Sequence, residues 1–124
     1  MTEADKFIIF LCSSAINKGE SKLSYRIASY IAQTGIASIG SIEKLATQHA
    51  ASFEDQRRLI FLNDCRSGCV NVLTQGFGSD RFLFIDLYPH IHTETFNIAA
   101  YVHGELIPQV QKKWSIALPE FSAS

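Results

Sequence analysis

A set of short apolar runs, separated by stretches of helical periodicity, limits what this chain can fold into. Phe7-Ile8-Ile9-Phe10-Leu11 is unbroken and stops at the polar Cys12-Ser13-Ser14. A run of that length bounded by turn residues reads as a strand buried on both faces, the pattern of parallel sheets. Leu23, Ile27 and Ile31 then recur at helical spacing beside Ala28 and Ala32. Ser21 stands where that helix would be capped, and Gly35 where it would end. Ile36–Ile39 gives a short second strand, Leu59–Leu62 a third and Arg81–Leu87 a fourth. Residues 42–58 read as helix, with a capping-box pattern at Ser52-Phe53-Glu54-Asp55 that restarts it. A shorter helix begins at Cys69 and closes at Gly76 and Gly78. Beyond Pro89, the residues Ile98, Val102, Leu106, Val110 and Trp114 form a stripe in steps of four. Gly104 and Pro108 are expected to kink or split that last helix.

Strands alternating with helices imply right-handed βαβ units, hence a parallel sheet with helices on both faces. The expectation is one domain over residues 1–124, with no internal repeat or linker. It is a three-layer α-β-α sandwich around a mainly parallel four-stranded sheet, Rossmann/flavodoxin-like, in the order 2-1-3-4. At 124 residues such a domain buries about 68% of its unfolded surface and needs no disulfide staples.

Charge and hydropathy narrow the partners. Seven Lys and Arg face six Asp and Glu over residues 1–62, and four face six over residues 63–124. Neither half is basic enough to predict nucleic acid or an anionic membrane surface as partner. No segment reaches the roughly 20 apolar residues of a membrane helix. The start, Met1-Thr2-Glu3-Ala4-Asp5-Lys6, is acidic where a signal peptide would be basic. A cytoplasmic location is therefore expected, where thiols stay reduced.

In that setting the three cysteines carry the chemistry. Cys12 ends the first strand, Cys65 follows the third, and Cys69 lies one helical turn later. In doubly wound sheets the first and third strands flank the switch point, where ligands bind outside the carboxyl ends. Spacing of four puts Cys65 and Cys69 on one side of a turn, so both sulfurs could reach one ion. A following helix N-terminus favours the thiolate form that ligation requires. If they share an ion, the three sulfurs should lie within about 4–7 Å of one another, the scale set by Zn–S bonds near 2.3 Å. The C-x-x-x-C spacing alone is less specific than paired C-x-x-C knuckles, and buried cysteines are common as plain apolar groups.

These turns resemble those of the DGC-domain family, described as zinc-binding proteins. Cys12-Ser13-Ser14-Ala15 is similar to the family's C-S-G-A turn. Asn63-Asp64-Cys65-Arg66-Ser67-Gly68-Cys69 resembles its D-G-C-P-x-x-C motif. The helix ending at Gly35, the Ile39-Gly40 stretch and the strand entering Asp86-Leu87 extend the likeness over residues 6–100. The resemblance implies zinc as cofactor and no defined reaction. It also shows departures: a family cysteine after the second strand is replaced by Ala37 or Ser38, Asp-Gly by Asn63-Asp64, and Pro by Arg66. One thiolate is thus lacking. His90 and His92, just past the fourth strand, are the candidates to complete a Cys₃His set. His49 and His103 are placed less well, and Asp64 would be a hard oxygen ligand among soft thiolates. Without a fourth side chain, three thiolates and water would leave an open position.

Two other chemistries are compatible with the same residues. Cys65 and Cys69 could cycle as a dithiol with Cys12 as resolving thiol, although no C-x-x-C is present. Ser13, Ser14, Asn17 and Lys18 could form a loop for a small anionic ligand. A phosphatase loop needs C-x-x-x-x-x-R, and Lys18 stands at the arginine position, where a planar two-pronged donor is required. No G-x-G-x-x-G or Walker pattern is present. Asp86 either faces the crevice or caps the turn after the fourth strand.

Overall fold

The structure, a computed structural model, describes residues 7–11, 23–40, 58–64, 77–90, 96–116 and 118. Its centre is a four-stranded sheet formed by β1 (Phe7–Leu11), β2 (Ala37–Ile39), β3 (Arg58–Asn63) and β4 (Phe82–Asp86). All pairs are parallel, and the order is β2-β1-β3-β4, as the alternation of apolar runs predicts. Leu11 stands opposite Leu62, and Asn63 opposite Asp86. The two inner strands are buried on both faces, which explains why β1 is apolar at every position.

Helix α1 (Leu23–Ala32) packs its Ile27, Ala28 and Ile31 face on one side of the sheet, against Phe7, Ile9, Leu11, Ile60 and Leu62. Gly35 ends the helical segment at φ 87°. Its N–H bonds the carbonyl of Ala32 at 3.0 Å, in a left-handed conformation that costs glycine nothing sterically. On the opposite face Ile8, Phe10, Leu59 and Phe61 form a second cluster. There Phe10 stacks on Phe61 at 5.4 Å, and Phe61 meets Phe82 edge-on at 5.8 Å. Each fully buried aliphatic or aromatic side chain here contributes about 1.5–3 kcal/mol relative to exposure.

The C-terminal helix returns to the α1 side. It comprises α2 (Ile98–Tyr101), a π-helical turn (Val102–Leu106) and α3 (Ile107–Trp114). Asn97 caps α2, its side chain accepting the Ala100 N–H at 2.8 Å. The expected break at Gly104 and Pro108 takes the form of the π turn, in which the Ile107 N–H reaches back to the Val102 carbonyl. Pro108 lacks an N–H and so sits in the first turn of α3, where none is required. Among the described residues no helix is long and apolar enough to cross a membrane. The expected helix over residues 42–58 lies outside the described residues except for Arg58, which opens β3 instead, and the helix from Cys69 and the cap at Ser21 also lie outside them.

Candidate functional site

The order β2-β1-β3-β4 puts the topological switch point between β1 and β3, with the crevice outside their carboxyl ends. The described residues that build this edge are the last residues of β1 and β3, the first turn of α1, and the β3–β4 tips. Cys12, Cys65, Cys69 and His92 lie outside the described residues, as do His49 and the Ser13–Lys18 loop.

Asn63 and Asp64 leave β3 buried, at 3% and 2% exposure. The Asn63 side-chain amide donates to Asp86 Oδ1 at 3.0 Å, and the Leu87 N–H donates to the Asn63 carbonyl. Asp86 Oδ1 also accepts the Tyr88 N–H at 3.1 Å, so this exposed carboxylate caps the turn after β4. The tips of β3 and β4 are thereby pinned together.

Asp64 works in the other direction, across to α1. Its Oδ2 accepts the Ser24 backbone N–H at 3.0 Å, although the two residues are 40 apart in the chain. Helix α1 has no acidic residue in its own first turn. Asp64 supplies the negative charge from a neighbouring strand, an arrangement that stabilises a helix N-terminus by about 0.3–2 kcal/mol. Among the described residues, the second oxygen, Oδ1, is buried without a hydrogen-bond partner, and so is Ser24 Oγ. Leaving such a group unsatisfied costs about 1–3 kcal/mol. Sequence reading picks out Asp64 as part of the turn before Cys65 and as a hard oxygen ligand ill suited to thiolates, not as a partner of α1. Its bond to Ser24 spans two elements and leaves no periodic signal.

His90 lies on a 3-10 turn, Tyr88–His90, directly past β4. Its ring packs among Phe96 at 5.4 Å and Tyr101 at 5.5 Å, and those two rings meet at 5.2 Å. The structure thus brings His90 to an aromatic cluster at the α2 side. Burial pushes the Tyr101 phenol above its ordinary 10.0, and the carboxylates of Glu105 and Asp86 add to the shift. His103 is on the π turn, where Nε2 lies 2.8 Å from the Tyr30 hydroxyl of α1. That pair borders a shallow groove of about 290 Å³ lined by Tyr25, Arg26, Ser29, Tyr30, Gln33 and Ile98, none of them among the sequence candidates. Among the described residues no group of three or more His, Cys, Asp or Glu side chains could hold a metal ion.

No protein-family model, curated protein or solved structure matches this chain.

Proposed function

We propose that this protein is a zinc-binding α/β domain, a divergent relative of the DGC-domain proteins, whose metal is held at the switch point by Cys12, Cys65 and Cys69. The observation that supports this reading is the direct pairing of β1 with β3, Leu11 opposite Leu62. Cys12 follows Leu11 in the chain and Cys65 follows Asp64. Leu11 and Leu62 thus stand side by side on strands about 4.8 Å apart, with a cysteine one residue after the first and three residues after the second in sequence. The donor chemistry suits zinc, because thiolates are soft ligands for it. When bound, the ion would supply a positive centre that holds the two turns together.

The reading that makes this edge a site for a small anion is less well supported. Asp64 already places a carboxylate at the N-terminus of α1. A second anion there would meet like charge where doubly wound folds commonly receive phosphate.

The test is a zinc titration of the reduced protein against a competing chromophoric chelator. Stoichiometric binding that disappears in Cys65→Ser and Cys69→Ser supports the reading. Loss in His90→Ala or His92→Ala would assign a histidine to the fourth position. No binding at micromolar zinc overturns it and leaves the cysteines to thiol chemistry.

A further inference from the structure

We propose that the groove along α1 binds a small aromatic acid, a single ring bearing one carboxylate. The inference is independent of the zinc reading, because every described residue lining the groove comes from α1 or α2 and none is a cysteine. Arg26, Tyr30 and Gln33 recur at i, i+4 and i+7, so they share one face of α1 over about 10 Å of helix. Tyr25 and Ser29, also four apart, form the adjoining row. Ile98 reaches in from the first residue of α2. The space of about 290 Å³ stands at the lower end of ligand pockets, which suits a one-ring molecule.

The lining sets the ligand's chemistry. Tyr25, Tyr30 and Ile98 are half-buried and pack against the main core, so the apolar walls are formed before anything binds. Tyr30 is held further: its hydroxyl lies 2.8 Å from His103 Nε2, and its ring meets the imidazole edge-on at 5.8 Å. That bond ties the groove to the π turn, a kind of helix insertion that recurs at functional sites. Two phenol rings beside an aliphatic side chain favour a flat apolar body, because offset or edge-to-face ring contacts add to its burial. Arg26 is the only ionised side chain among the described lining residues. Its planar fork matches a carboxylate, which it can hold through two nitrogens at once. Ser29 and Gln33 add a hydroxyl and an amide, and no described lining residue carries a negative charge to oppose an acid. A polyphosphate would find a single cation here, so one carboxylate is the charge the groove matches.

The test is titration of the ¹⁵N-labelled full-length protein with benzoate, followed through its amide shifts. Saturable shifts should appear at residues 25–33, Ile98 and His103, with a Kd on the order of 1 mM, as expected for a small ligand in an open groove. Acetate carries the charge without the ring, and benzyl alcohol the ring without the charge. Each should bind at least about tenfold more weakly than benzoate. Arg26 is exposed, and glutamine is an equally good helix former, so Arg26→Gln keeps the fold and should also weaken benzoate about tenfold. No saturable shift up to about 10 mM benzoate overturns the proposal. So does acetate or benzyl alcohol binding within about twofold of benzoate, or an Arg26→Gln protein that binds benzoate as the parent does.

Discussion

Replacing Gly40 with alanine measures how tightly the edge strand β2 closes on β1. Gly40 follows β2 directly, and its N–H bonds the Ile9 carbonyl at 2.9 Å, continuing the ladder by one residue. A Cβ at this position would lie 2.5 Å from Ile8 Cγ2, 2.6 Å from Phe10 Cε1 and 3.0 Å from Phe10 Cζ. Neither neighbour has room to yield. Ile8 is 4% and Phe10 2% exposed, and the Phe10 ring is stacked on Phe61. Overpacking a filled core costs about 1–3 kcal/mol. For a domain of this size that corresponds to a fall in Tm of about 4–12 °C. Urea denaturation followed by circular dichroism gives the number directly. The mechanism is checked by the pair Gly40→Ala/Phe10→Leu, because leucine lacks the Cε1 and Cζ atoms that would clash. The double variant should be more stable than the sum of the single losses by about 0.5–3 kcal/mol. A Gly40→Ala protein with parental stability, or strict additivity in the pair, would refute the close-approach argument.

Other substitutions probe the helix ends and the aromatic cluster. Ser115 caps α3 at φ 55°, ψ 48°, so Ser115→Gly should raise stability by about 0.5–1 kcal/mol in urea melts. Asn97→Ala removes the acceptor for the Ala100 N–H and should cost about 1 kcal/mol. Burial raises the Tyr101 phenol above 10.0, so the folded state holds its proton where the unfolded chain loses it. The contribution is complete below pH 10.0 and is lost as pH rises through the folded-state value. Urea midpoints across that range should fall more steeply in the parent than in Tyr101→Phe. Tyrosinate absorbance should likewise show one late-titrating group in the parent only.

Much of this fold is legible in the sequence because the burial that creates it is periodic. The five apolar positions of β1 announce a strand with no solvent face, and the glycine at 35 marks where α1 must stop. The strand order follows from the alternation of elements and the handedness of their crossovers. The polar edge is harder to read. Asn63 finds Asp86 and Asp64 finds Ser24 across 23 and 40 residues of chain. Such pairs depend on which strands become neighbours, so spacing along the chain does not reveal them. Similarly, His90 reads as a loop histidine until β4 and α2 bring Phe96 and Tyr101 against its ring.

The π turn has a consequence for how the last helix meets the sheet. Ile98, Val102, Leu106, Val110 and Trp114 all pack on or against the core, and they are spaced by four throughout. An α-helix completes a turn in 3.6 residues, so each step of four overshoots by about 40° and four steps accumulate about 160°. Val110 and Trp114 would then be carried most of the way around to solvent. The wide turn at Val102–Leu106 holds one extra residue and removes about 100° of that drift. It acts as a phase corrector that lets one helix stay in contact from the carboxyl edge to the opposite end of the sheet. At that far end Trp114 bonds the Asp80 carbonyl at 2.7 Å and packs on Phe7. Deleting a single residue from the turn would restore an unbroken α-helix and leave Val110 and Trp114 on the core, because the apolar spacing would then read four, three, four, four. An unbroken α-helix that kept all four steps of four would instead carry Val110 and Trp114 off the core together.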